Sequence, residues 1–203
     1  NLQKYTIKEK QDLEEYTIYK FVFLGGARFP YLPKEALIFL KLLIQNGYNC
    51  QIDFINESDH QFIYEAIDDV NFPKDRINIF PLNSDDICKK LPDYDCGLVF
   101  ISTGPWLRMC SPTKIGEYLA AGLHIVGLQG LEVLDRLSSQ TDCIDIVETR
   151  DNKIQCSKKD CLNIINNIEN KNRSIKARAI ANENYDLVKA LNTYAELYSY
   201  LIK

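Results

Sequence analysis

The chain has 203 residues, enough to bury the core of one ordinary domain. Hydrophobic residues make up 46% and charged residues 26%, which excludes a disordered or fibrous chain and leaves a globular one. Lysine and arginine total 24 against 28 acids, a net charge of −4, and no basic block stands out, which argues against a nucleic-acid or anionic-membrane footprint.

Seven cysteines, an odd number with no C-x-x-C pair, read as reduced thiols of a cytoplasmic protein. The two histidines, His60 and His124, have no partner at metal-ligand spacing, so no metal site is expected. No secretory signal opens the chain, and the longest apolar run, ALIFLKLLI, is interrupted by Lys41. Asn1 in place of a methionine suggests an excised piece of a longer protein.

Residues 1–17 are polar and weakly periodic and read as a linker or lead-in; 18–203 read as one domain. YKFVFLGG is a buried strand stopped by Gly25 and Gly26, and PKEALIFLKLLIQNG is a helix with a proline near its start and Gly47 in the stop position. NCQIDFIN (strand), ESDHQFIYEAIDD (helix) and RINIFPL (strand) follow. SDDICKKL is a short helix capped by Ser84, and DCGLVFIS a continuous apolar strand. After the helix in CSPTKIGEYLAAG come LHIVGL (strand), GLEVLDRLSS (helix) and DCIDIVE (last strand); from Ser157 the chain reads as helical to its end. Strands apolar on both faces, alternating with helices, predict a doubly wound α/β domain: a parallel sheet with helices on both faces. Ligands of such sheets bind beyond the carboxyl ends of the strands, here at loops 25–32, 80–84 and 102–113.

In CSPTKIGEYLAAG, Ser111 reads as the N-cap and Pro112 as the first helical residue. The amides around Thr113 and Lys114, with the Lys114 charge, would favour an anion such as phosphate. Lys114, Glu117, Tyr118 and Ala121 fall on one side at helical spacing, and a carboxylate one turn below a phosphate suits two sugar hydroxyls. A Lys114–Glu117 pair on a solvated face is the plain alternative.

SPTKIGEYLAAGLHIVG resembles the motif P-x-K-x-x-E-Y-L-A-x-G-x-P-V-V of the retaining GT-B glycosyltransferases of family 4, also called group 1. FVFLGGARFPYLPKEALIFL, INIFPLNSDDICKKLPDYDCGLVFIS and ARAIANENYDLVKALNTYAELYSYL resemble, in order, further parts of the same half of that architecture. The resemblance implies a Rossmann-like donor-binding half, covering 18–203, of an enzyme that moves a sugar from a nucleoside diphosphate sugar to a glycan or lipid-linked acceptor in O-antigen, lipopolysaccharide or capsule synthesis. It implies no cofactor and no metal. The N-terminal acceptor-binding half has no counterpart here, so the fragment alone is expected to be inactive, and through that half the enzyme would sit at the inner face of the membrane. A nucleotide-sugar 2-epimerase of the same architecture and a non-catalytic nucleotide-binding domain remain open.

By resemblance, Glu117 matches the glutamate that holds the donor ribose. Ser111, Pro112, Thr113 and Lys114 match the helix entrance facing the diphosphate or the sugar. Gly25 and Gly26 match the turn where the backbone approaches the phosphates, and Phe80 to Leu82 the loop touching the base. Arg28 or Lys34 would supply the basic group that follows the first strand, and Arg108 a further phosphate contact. Two positions depart from the motif: Met109 stands where many members carry a second glutamate, and His124 replaces the proline. His124 itself reads as a hydrogen-bonded packing residue, Trp106 as a pocket lining or a loop anchor, and the stripe Leu187, Leu191, Tyr194, Tyr198 and Leu201 as core-like, with part of its face exposed if another half normally covers it.

Overall fold

The computed structural model describes residues 2–7, 17–102, 104–150 and 153–201. The strands are β1 (Tyr19–Leu24), β2 (Cys50–Ile55), β3 (Ile77–Phe80), β4 (Cys96–Val99), β5 (His124–Leu128), β6 (Ile144–Arg150) and β7 (Lys153–Gln155). The helices are α1 (Pro33–Gln45), α2 (His60–Val70), α3 (Ser84–Lys90), α4 (Thr113–Ala120), α5 (Glu132–Ser138), α6 (Lys158–Glu169), α7 (Arg173–Asn184) and α8 (Leu187–Leu201). They build one seven-stranded sheet in the order β3-β2-β1-β4-β5-β6-β7, parallel except for β7. The order reverses between β1 and β4, and that switch point opens a crevice at their carboxyl ends.

Two apolar clusters fill the two faces. Phe21, Phe23, Phe39, Phe54 and Phe100 pack with α1, α2 and α6 on one side. Val22, Leu24, Val99, Ile115, Tyr118, Leu119 and Leu134 pack with α4, α5 and α7 on the other. Alternation along β1 sends Phe21 and Phe23 one way and Val22 and Leu24 the other, which is why that strand is apolar throughout.

Several expectations change. DCIDIVE is not the last strand: β6 runs on to Arg150, and β7 pairs antiparallel to it. Three residues, KIQ, with exposed ends carry too little alternation to read as a strand. α3 is capped by Asn83, not Ser84; the Asn83 side-chain oxygen accepts from the Asp86 amide at 2.9 Å. The core-like stripe on α8 is exposed along its whole length, because apolar spacing marks a face without saying what covers it. Of the lead-in segment, residues 8–16 lie outside the described residues, while Leu2 and Tyr5 pack against the domain.

Candidate functional site

The site is organised by the way α4 is tied to β1. Gly97 on β4 has no side chain, and a Cβ there would lie 2.3 Å from the Tyr118 ring, so the ring lies flat over the strand. The Tyr118 hydroxyl thereby accepts from the Leu24 amide at 2.9 Å. β1 and β4 pair only at Phe21–Cys96 and Val22–Gly97, so β4 does not reach that last β1 amide, and a buried donor would otherwise go unpaired. Tyr118 is therefore a core residue, as is Ala121, and neither belongs to a ligand-facing side of α4. The far end of α4 is held by α7: the Arg178 guanidinium donates to the Ala120 carbonyl at 2.5 Å and Arg173 to the Gly122 carbonyl at 3.3 Å. Two cations on the negative end leave the positive end for the crevice.

That positive end starts later than expected. Pro112 is the N-cap, with φ −63° and ψ 129°, and the first helical residue is Thr113. Ser111 is exposed and pushed one residue outside the cap position, so its hydroxyl caps nothing. The proline holds extended backbone here and restricts Ser111 as well. Thr113 and Lys114 sit at the first two helical positions, where amides have no intrahelical acceptor.

Lys114 points inward. It is 6% exposed, and its Nζ has no hydrogen-bond partner. The ammonium lies 5.0 Å from the Phe23 ring centroid and 4.3 Å from that of Tyr31. Gly25 stands directly against it: φ is +98°, and a Cβ there would lie 3.5 Å from Nζ. Burial drives its pKa down to about 7, with Glu117 opposing. This is not the solvated helix-face lysine of the plain alternative.

Glu117 is half-buried one turn further along. Burial raises its pKa, while the Tyr5 hydroxyl and the Lys114 charge act to lower it. Tyr5 was not expected at the site. Its segment crosses from α7 to α3, with the Arg178 guanidinium bonded to the carbonyls of Leu2 and Tyr5 and Lys4 bonded to Asp85 at 2.7 Å.

Beyond the ends of β1 and β2 lies a cavity of about 460 Å³, lined among others by Gly25, Gly26, Asn56, Asp59, Leu82 and Asn83. Asn56 shapes it: its amide donates to the Gly25 carbonyl at 2.8 Å, and its oxygen accepts from the Ser58 and Asp59 amides at 3.2 and 2.8 Å. An asparagine straight after a strand, followed by a serine and an aspartate, was the signal available for this turn. Gly25, Gly26 and Leu82 thus share the cavity, Lys114 lies behind Gly25, and Glu117 lies beyond Lys114. Phe80 stands further back, its carbonyl already accepting from the Asn56 amide at 3.1 Å.

The other basic candidates diverge. Arg28 pairs with Asp59 at 2.7 Å and stacks 5.1 Å from the Phe62 ring centroid. Lys34 pairs with Asp69 at 2.7 Å. Arg108 is exposed on the loop before α4, and its carbonyl accepts from the Glu132 amide at 3.0 Å. Trp106 and Met109 on that loop are 91% and 76% exposed, so Trp106 anchors nothing among the described residues. His124 is fully buried with Nε2 3.0 Å from Asp145 Oδ2, a packing position on β5. Among the described residues no cluster of metal-binding side chains forms, and no helix is long and apolar enough to cross a membrane.

Comparison with protein families and with curated proteins returns no match. Solved structures do match. A glycosyltransferase from Rickettsia africae ESF-5 superposes with a TM-score of 0.64 at 16% identity, over 91% of this chain and 48% of that one. Anabaena Alr3699/HepE, in complex with UDP-glucose, gives 0.60 at 18% identity, over 89% and 49%. WaaG, a glycosyltransferase involved in lipopolysaccharide biosynthesis, gives 0.58 at 11% identity, over 91% and 47%. The chain therefore spans about half the length of the structures it matches. Identities this low establish the fold: a Rossmann-like half of the GT-B architecture with a helical C-terminus.

Proposed function

We propose that this chain is the donor-binding half of a retaining glycosyltransferase of family 4 and binds a nucleoside diphosphate sugar at the crevice between β1 and β4. The observation that carries this is the partnerless Lys114 ammonium behind the Gly25 turn, at the positive end of α4. A buried amine with no partner is costly, the more so when charged, and an anion arriving at it supplies the partner. In this reading the α4 amides and Lys114 hold the diphosphate, Glu117 accepts from the ribose hydroxyls, and the cavity beside Leu82 takes the base.

In the reaction the sugar leaves the diphosphate and is attacked on its front face by an acceptor hydroxyl. This half stabilises the charge gathering on the departing diphosphate, by fixed donors and a cation in a site shielded from water. The acceptor, on a glycan or lipid-linked intermediate of surface-polysaccharide synthesis such as O-antigen, would dock on a separate N-terminal half, so transfer by the 203 residues alone is not expected. Support for the donor site comes from the matching structures: two are glycosyltransferases, and a third holds UDP-glucose. Met109, exposed where many family members carry a sugar-binding acid, removes that carboxylate from the reaction. No observation favours the 2-epimerase.

Calorimetry of the chain with UDP, GDP and ADP tests the reading. One nucleotide should bind, and Glu117→Ala should weaken it by about 10- to 100-fold, the worth of about one charged hydrogen bond. Glu132→Ala, at an exposed position on α5, should change nothing. Absence of binding by all three, or equal loss in both variants, refutes the assignment.

A further inference from the structure

Lys114 is a buried lysine whose Nζ has no hydrogen-bond partner. On its own helix the only carboxylate near it is Glu117, which is half-buried and also faces the Tyr5 hydroxyl. From β1 it meets Phe23, and from the loop after β1 it meets Tyr31, two ring faces and no acceptor. The neighbouring cations are already answered: Arg28 by Asp59 and Lys34 by Asp69. Arg108 lies outside on the exposed loop. At Gly25, which lines the cavity beyond β1, the missing Cβ lets the backbone stand against Nζ.

We infer that Lys114 is a proton-linked anion receptor: it rests as a neutral amine and takes up a proton when the diphosphate docks at Gly25. This rests on the donor-site reading above and adds to it a dependence on pH. The free site sheds its proton because burial penalises an unpaired ammonium more than two aromatic faces recover. A dianion beside Nζ reverses the balance, since an opposite charge in a dry site favours the protonated form. Burial takes the free lysine to about 7, so the coupling falls in the neutral range. The sign follows: below that point the lysine is already charged and binding takes up little, whereas above it each bound anion brings about one proton. Affinity then falls as pH rises, on the order of tenfold per pH unit, until the bound form itself titrates.

A nucleotide sugar is the right probe, because a diphosphate esterified at both ends has no ionisation of its own near neutrality. The chain is titrated calorimetrically with UDP-, GDP- and ADP-glucose at several pH values, in buffers of low and high ionisation enthalpy. In parallel, the 13Cε shift of Lys114 is followed against pH in lysine-labelled protein, with Lys114→Met supplying the assignment. The expected result is a free midpoint near 7 that rises with ligand, uptake of about one proton at pH 8 falling toward none at pH 6, and loss of both the uptake and the pH slope in Lys114→Met. Binding without proton uptake, or a free Lys114 titrating in the ordinary lysine range, overturns this inference and leaves the donor site standing. Binding of none of the three overturns both.

Discussion

Replacing Lys114 with methionine should stabilise the protein. The side chain is 6% exposed, Nζ has no hydrogen-bond partner, and its walls are the rings of Phe23 and Tyr31. An unsatisfied buried polar group costs about 1–3 kcal/mol, and a charged one more. The ring faces return about 0.5–2 kcal/mol of that while the amine is protonated. Methionine keeps the unbranched shape, fills the same space and favours aromatic neighbours. Toward pH 10, where the amine is neutral, the net gain should be about 1–2 kcal/mol, worth ~2–4 °C in Tm per kcal/mol for a domain of this size, and it should be larger where the amine is charged. Its pH dependence has a definite sign. Burial lowers the folded lysine to about 7 from the 10.5 of a solvated lysine, so between these the unfolded chain holds more protons and wild-type stability rises with pH. The advantage of Lys114→Met is then largest below pH 7 and shrinks toward pH 10. Urea unfolding of both proteins from pH 6 to 10 measures it. A variant less stable than wild type at pH 6, or a difference flat in pH, would show that Lys114 has a partner or is not buried, and the receptor argument would go with it.

Other perturbations have equally definite outcomes. Tyr118→Phe strands the buried Leu24 amide and should cost about 1–3 kcal/mol in urea unfolding with an unchanged m-value; a neutral result would mean the hydroxyl does not complete β1. Gly25→Ala puts a Cβ on backbone at φ +98° and should lower Tm through a penalty of about 1–2 kcal/mol while weakening nucleotide binding; unchanged Tm and affinity would contradict the turn geometry. Removing residues 187–203 should leave the Tm of the domain nearly unchanged, since α8 buries nothing against it, and a large drop by calorimetry would contradict its exposed placement.

The alternation of apolar runs with 3.6-period stretches was enough to read the helices and the parallel strands, because a strand buried on both faces must be apolar at every position. YKFVFL and CGLV carry that signature; KIQ, at a charged edge, does not, and β7 was missed. The SPTKIGEYLAAG motif marked Lys114 and Glu117 as the pair to watch and Gly25 as the turn opposite them. It could not assign their directions. Helical spacing grouped Tyr118 and Ala121 with Lys114, yet Tyr118 turns down onto β4 because Gly97 clears its ring.

Local pattern thus determined the class of fold, the strand-end loops that matter and the residue types in them. What tertiary structure alone decided was which charges remain unanswered. Arg28 meets an acid just before α2 and Lys34 one within it, and Tyr5 is carried to Glu117 by a segment far away in the chain, while Lys114 is enclosed by two rings from elsewhere and left without a partner. Pairing and desolvation depend on distances between remote parts of the chain, and spacing along a single helix carries no record of them.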